Sequence, residues 1–289
     1  MRAPTGNESA EKDSLLQSLL ALAWVVEARD PYTAGHLWRV SQFSMLLAKH
    51  LGLEKKEIAR IGLGGFLHDL GKIGIPDAIL NKPDRLTEGE YAVIKTHPRI
   101  GSDLLGAHPL RPVIESAVFL HHETPDGKGY PNGLPLEKIP LDARIVGLTD
   151  AFDAMTSTRP YRKGMPTAKS LDIIAANLGS QFDRELGSAF IALAREGWAD
   201  PIIGHTEPHI PLQSCVQCGP TILVTRRQLD GDMAWCRACG GGVRVQRKDG
   251  ILGVEDEDAH GNPAELTAAP DADLIRELVA DQFLAAISP

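Results

Sequence analysis

Through its first 200 residues the chain keeps apolar residues at helical spacing and shows no β alternation. Stripe after stripe runs into a histidine or an aspartate. Ile58, Ile61 and Gly65 lead into His68-Asp69, with Gly71 as a helix stop. His36 opens a stripe of Val40, Phe43, Leu47 and Leu51 that ends at Gly52. Ile114, Ala117 and Val118 continue to His121, and His122 follows at once. Ala143 and Val146 share a face with Asp150, where a carboxylate is costly unless it is paired or metal-bound. His97 precedes Pro98, which suits a helix's first position and leaves the imidazole free to face a site. An adjacent His and Asp offer a metal nitrogen and oxygen, a mix suited to Fe, Mn or Zn. Lys72, just past the helix end, can reach an anion held there. Taken singly, each histidine reads as a core or surface residue.

The second half changes character. All four cysteines fall in two CxxC pairs, Cys215/Cys218 and Cys236/Cys239, with seventeen residues between the pairs. Four thiolates on two turns joined by a hairpin make a closed tetrahedral zinc site. Strand-like alternation over Thr221–Arg226 and the Asp230-Gly231 turn signal support that hairpin. The expected organisation is a disordered N-terminus over 1–13 and a helical domain over 14–198, opened by a Ser14/Gln17 capping box. A Pro-rich linker over 199–212, a zinc ribbon over 213–249, and an acidic loop with a C-terminal helix over 250–289 complete it. The fold class is mainly α, a helical bundle followed by a small β ribbon and a final helix.

Charge and cysteine usage narrow the setting. The formal net charge of −8 does not suit a general nucleic-acid binder, so an anionic ligand needs a local cluster of cations. Within the ribbon, Arg226, Arg227, Arg237, Arg244, Arg247 and Lys248 face only Asp230, Asp232 and Asp249. With no aromatic row beyond Trp235, that basic module reads as a protein or intramolecular contact ahead of a nucleic-acid site. The longest apolar run, Leu15 to Val26, is too short to span a bilayer, and the polar start has no signal-peptide core. CxxC pairs without a disulfide pattern suit a reducing compartment, so a cytoplasmic location is expected.

Several motifs in order carry a family resemblance over residues 14 to 197. They are Arg29-Asp-Pro-Tyr-Thr-Ala-Gly-His36, His68-Asp-Leu-Gly-Lys72, Lys95-Thr-His97-Pro, His121-His-Glu-Thr-Pro-Asp-Gly-Lys-Gly-Tyr-Pro131 and Asp150-Ala-Phe-Asp-Ala-Met-Thr-Ser-Thr-Arg-Pro-Tyr-Arg162. This region resembles the HD-GYP branch of the HD metal-dependent phosphohydrolases. The resemblance implies hydrolysis of cyclic di-GMP to pGpG, and in some members on to GMP. The metal ligands it implies are His36, His68, Asp69, His97, His121, His122 and Asp150, with Asp69 shared between two ions, Fe or Mn. It implies contact of Lys72, Tyr130, Arg159 and Arg162 with substrate, and docking of diguanylate cyclases on the Gly-Tyr-Pro loop. Members with three metals carry Glu four residues before the first ligand His; here Tyr32 stands there, so two ions are expected. The ribbon lies outside the resemblance, and an N-terminal receiver or sensor domain is not expected. Alternatives are another cyclic dinucleotide or phosphoester as substrate, or a nucleotide-responsive scaffold.

Overall fold

The computed structural model describes residues 6–158, 162–267 and 269–287. Ten helices precede any strand among them: α1 Gly6–Glu27, α2 His36–His50, α3 Lys55–Leu67, α4 Asp77–Leu80, α5 Glu88–Ile94, α6 His97–Leu105, α7 Arg111–Leu120, α8 Leu141–Thr156, α9 Thr167–Ala176 and α10 Arg184–Arg195. Helix α3 is the axis of the bundle. Its last seven residues, Ile61 to Leu67, are all buried, as expected of a helix covered on every side. Two glycines permit that covering. A Cβ on Gly64 would lie 2.6 Å from the Ala117 Cβ of α7, and one on Gly62 would run into Met45 of α2. One apolar cluster joins α1, α3 and α7; a second joins α2, α8, α9 and α10, where Phe43, Phe152 and Phe190 meet edge to face.

The expected disorder over 1–13 does not hold for residues 6–13, which form the first turns of α1; residues 1–5 lie outside the described residues. Ser14 and Gln17 sit inside that helix and cap nothing. Leu16, Leu19, Leu20 and Ala23 anchor α1 in the core, so extending it upstream needs no new nucleus. Lys12 Nζ also donates to the Ile287 carbonyl 3.2 Å away, at the far end of the chain.

The Pro-rich stretch over 199–212 is not a free linker either. Its strands β1 His205–Glu207 and β2 Ile210–Pro211 pair antiparallel, and β1 lies against α2. Thr206, Glu207 and Ile210 are buried, whereas His209 is exposed at the turn with φ 63°. The cysteine module then follows. Strands β3 Gln213–Cys215 and β4 Gly219–Ile222 form one pair, and β5 Met233–Trp235, β6 Gly241–Lys248 and β7 Ile251–His260 form an antiparallel sheet in that order.

Strand β7 corrects the expected acidic loop and carries the ribbon to His260. Its acidic side chains accept from β6: Glu257 from the Arg244 guanidinium at 2.6 Å and Glu255 from the Gln246 amide at 2.5 Å. The missed signal was Asp249-Gly250, both at positive φ, the turn chemistry of a two-residue hairpin.

The expected C-terminal helix is present as α11 Ala272–Glu277, a π-helical turn over Leu278–Phe283, and α12 Leu284–Ile287. It does not hang beyond the ribbon. Leu274, Leu278, Val279 and Phe283 return to the cluster around α1 and α3.

Candidate metal centre and active site

Helix ends, rather than helix faces, build the site. His36 and His97 are the first residues of α2 and α6, His68 caps α3, and His121 caps α7, with His122 next. Such ends leave backbone carbonyls without helical partners. Three imidazoles satisfy them: Nδ1 of His68 lies 2.7 Å from Gly65 O, that of His97 2.8 Å from Ile94 O, and that of His121 2.8 Å from Ala117 O. A ring that donates from Nδ1 keeps its proton there and presents the Nε2 lone pair inward. The bonds that end the helices therefore set the tautomer of the ligands.

Those inward nitrogens surround Asp69. Its Oδ2 is 3.5 Å from His36 Nε2 and 3.3 Å from His68 Nε2, while its Oδ1 is 3.4 Å from His97 Nε2. Asp150 Oδ1 completes the first group, 3.4 Å from His36 Nε2. His97, His121 and His122 form the second group, with Nε2 of His97 and His121 3.3 Å apart. One carboxylate thus faces two donor sets with separate oxygens. Nε2 of both His36 and His68 is buried without a hydrogen-bond partner. A native fold rarely leaves such atoms unmatched, so the set fits a cation it is built to receive.

Electrostatics agree. Although burial pushes it upward, Lys72 and His68 hold Asp69 well below the usual carboxylate range; Lys72 Nζ is 2.6 Å from its Oδ2. Burial pulls His36 down, yet its hydrogen bond to Asp153 and the nearby carboxylates of Asp69 and Asp150 raise it to about 9, which marks a field that favours positive charge. Burial lowers His97 to about 4, and burial with neighbouring His97 lowers His122 to about 3, so both remain neutral donors at neutral pH.

Above the two donor sets opens a cavity of about 870 Å³ lined by Asp69, Lys72, His122, Tyr130, Asp150 and Arg162 among others. The Gly-Tyr-Pro loop that walls it is tightly specified. Buried Glu123 accepts from the amides of Asn132 (2.7 Å) and Leu134 (2.8 Å), and the Tyr130 amide donates to His122 O. The Tyr130 ring stacks on His122 with centroids 4.6 Å apart. Arg162 sits at the rim, its guanidinium held by the carbonyls of Ala154 and Met155. Arg159 lies outside the described residues.

Sequence reasoning passed over Asp153, Arg39 and Glu123. Asp153 Oδ2 holds His36 Nδ1 at 2.8 Å, and Arg39 forks onto the same carboxylate at 2.6 and 3.0 Å. The available signal was spacing: both residues stand one turn beyond an assigned ligand, His36 or Asp150, within buried helices. The Tyr32 hydroxyl is held above its ordinary value by burial first and then by Cys218, Cys236, Asp30 and Cys239.

The four cysteines form a separate cluster, every Sγ within 4.8 Å of the others and Cys215 Sγ 3.7 Å from Cys239 Sγ. Thiolates about 2.3 Å from one tetrahedral ion stand about 3.8 Å apart, so the spacing fits. Thr221 Oγ1 lies 3.0 Å from Cys236 Sγ. Burial raises the Cys236 thiol, but that hydroxyl and nearby backbone N–H groups bring it to about 7.

Gly71 tests how closely the helix ends must approach. A Cβ there would overlap the His97 carbonyl oxygen and the Gly101 nitrogen. Gly71→Ala is expected to cost about 1–3 kcal/mol or more through overpacking and to part Asp69 from His97. Urea unfolding and metal content per chain read the two effects separately.

Comparison with known proteins agrees with this geometry. The family model described as HD domain matches residues 21–186. The chain is 44% identical over 179 residues to the cyclic di-GMP phosphodiesterase response regulator RpfG of Xanthomonas campestris pv. campestris, a match covering 61% of this chain and 47% of that protein. It is 37% identical to a cyclic di-GMP phosphodiesterase of Thermotoga maritima, over 64% of this chain and 51% of the relative. It is 36% identical to the 3′3′-cGAMP-specific phosphodiesterase 3 of Vibrio cholerae, over 61% and 39%. The chain therefore spans about half or less of the length of these curated relatives, and none of the three matches covers more than 64% of the chain.

Proposed function

We propose that this chain, which belongs to the HD domain family, is a metal-dependent phosphodiesterase that opens cyclic di-GMP to linear pGpG. The observation that carries the reading is Asp69, which divides its two oxygens between two histidine donor sets at the floor of the cavity. His36, His68 and Asp150 would hold one ion, His97, His121 and His122 the other, with Asp69 common to both. The imidazole-rich set with carboxylates suits Fe or Mn, and the thiolates suit Zn. Bound divalent ions supply a nucleophile at neutral pH by lowering the pKa of water from about 15.7 to about 7, and they offset charge on the phosphoryl oxygens.

The chain's own groups do the rest. Lys72, paired with Asp69 and exposed to the cavity, offers an ammonium to a nonbridging phosphate oxygen. Tyr130, stacked on His122, supplies an apolar wall that orients the dinucleotide and keeps water off that side. Arg162, which lines the cavity and is anchored on the Ala154 and Met155 carbonyls at the end of α8, offers a second cation to the substrate's phosphates. Lys128, exposed at the cavity rim on the same loop and 3.6 Å from Asp126, would meet a protein partner such as a diguanylate cyclase. No described helix is long and apolar enough to cross a membrane, and a cytoplasmic setting suits both the nucleotide and the reduced cysteines. Four of the ribbon's six cations are held within the chain, which favours an intramolecular role over a nucleic-acid one. Arg226, Arg227 and Arg244 are paired with acidic side chains of this chain, and Arg247 holds the Gln228 and Thr225 carbonyls.

The relatives named for 3′3′-cGAMP favour a second reading, with that mixed dinucleotide as substrate. The test is the full chain purified anaerobically, loaded with Fe²⁺ or Mn²⁺, and offered cyclic di-GMP, 3′3′-cGAMP and cyclic di-AMP. Cyclic di-GMP is expected to be consumed fastest, with pGpG appearing before any GMP by chromatography. Preference for 3′3′-cGAMP would move the assignment to the second reading. Inertness toward all three would end both.

A further inference from the structure

The two sides of the metal centre are not supported alike. Nδ1 of His68, His97 and His121 ends on a backbone carbonyl within one helical turn, a contact local to each helix end. His36 differs from these three: its Nδ1 ends on a side chain, Asp153 of α8. Asp153 is gripped by Arg39, which is 1% exposed and spends its donors on four residues from three separate segments. Nε and Nη2 fork onto the Asp153 carboxylate, and Nη2 also reaches Ser157 Oγ at 3.2 Å. Nη1 donates to Ala34 O and to His205 O, each 2.9 Å away.

His205 O belongs to β1, outside the helical bundle, and from there the chain of contacts reaches the cysteine module. Two residues on, Glu207 is 3% exposed and accepts from Arg226 at 2.5 Å. Arg226 follows Val224, which belongs to the small apolar core around Cys215 and Cys236. The same guanidinium pairs with Glu277 of α11, so it bridges module, hairpin and tail. The hairpin also has no slack against α2. A Cβ on Gly35 would lie 2.6 Å from the Thr206 Cα, so β1 and the start of α2 move together or not at all.

We propose that Arg39 is a positioning residue that ties the cysteine module to the metal ligand His36, so that an intact module sets metal affinity on the His36 side of the centre and not on the His97 side. This rests on the reading of the histidine sets as a metal centre. Partners behind a ligating histidine fix its ring and raise its basicity, and their loss typically costs about 10–100-fold in metal affinity. The module's apolar core is a handful of residues, too small to hold its shape unaided, so its fold depends on its own ion. Once that fold loosens, Arg226 leaves Glu207, β1 loses its anchor, and Arg39 loses the His205 carbonyl that aims its fork at Asp153.

The experiment measures Mn²⁺ binding to the full chain by calorimetry and assigns each site by anomalous scattering. Mn²⁺ competes poorly for four thiolates. The variants are Arg39→Lys, which keeps the charge but loses the fork; Arg226→Gln, at the joint with Glu207; and Cys236→Ser. Arg244→Gln serves as control, since Arg244 pairs within the module with Glu257. In the first two variants the His36 site is expected to weaken about 10–100-fold while the His97–His121–His122 site is unchanged. Arg244→Gln should bind as the parent does, and Cys236→Ser should repeat the one-sided loss if it folds. Equal weakening of both sites would show general destabilisation, and parental affinity at both in Arg39→Lys and Arg226→Gln would show no coupling; either overturns the proposal. Because no nucleotide is present, failure of the substrate assignment leaves this outcome readable.

Discussion

Asp69→Ala is expected to reduce hydrolysis at least about 1,000-fold, about 4 kcal/mol in the barrier, in a chain that still folds. The residue is small, and its loss removes no apolar contact from either core cluster. What it removes is the only group whose two oxygens face both donor sets among the described residues. His36, His68 and Asp150 would be left on one side and three histidines on the other, with nothing shared between them. Lys72 would also lose the carboxylate 2.6 Å from its ammonium. Asp69→Asn separates shape from charge: it keeps the volume but cannot supply an anionic bridge, and it should fall nearly as far. Metal content, circular dichroism and turnover on the same preparations decide the matter. Undiminished turnover by a folded, metal-poor Asp69→Ala chain would remove the centre from the reaction altogether.

Phe283→Ala is expected to destabilise the helical bundle by about 3–5 kcal/mol, although it lies beyond the ribbon in sequence. Its ring is fully buried, meets Phe66 at 6.2 Å, and rests where Gly62 leaves room on α3. Helix α3 ends at Leu67 with His68 as its cap, so a cavity there weakens the support of the candidate metal centre as well as the core. Truncation at Trp198 should do worse, because it also takes away Leu274, Leu278 and Val279. The measurement is urea unfolding, where the midpoint should fall with the slope unchanged. An unaltered midpoint would mean that the tail packs on a core already complete without it.

Arg39 and Phe283 mark what a linear reading misses. The helices carrying the seven candidate ligands were legible because burial of one face imposes a 3.6-residue period, and because Gly and Pro mark where helices end. The cysteine spacing likewise announced its cluster. Strand β7 was hidden because its acidic residues carry little apolar alternation. Its stabilisation comes from β6, through pairs such as Arg244 with Glu257. The stretch over 199–212 looked like a linker because its prolines and histidines say nothing about a buried arginine waiting for the His205 carbonyl.

The sequence by itself determined the mainly helical class, the helix-end and buried-face positions of the candidate histidines and aspartates, and the two CxxC turns. Those depend on local periodicity, helix termination and residue chemistry. Only the tertiary structure decided that Asp69 turns one oxygen to each donor set and that the tail closes the core around α3. It alone showed His36 held through Asp153 and Arg39, 114 residues apart in the chain. Such contacts arise from packing of distant segments, where a charged group is buried only because its partner arrives from elsewhere.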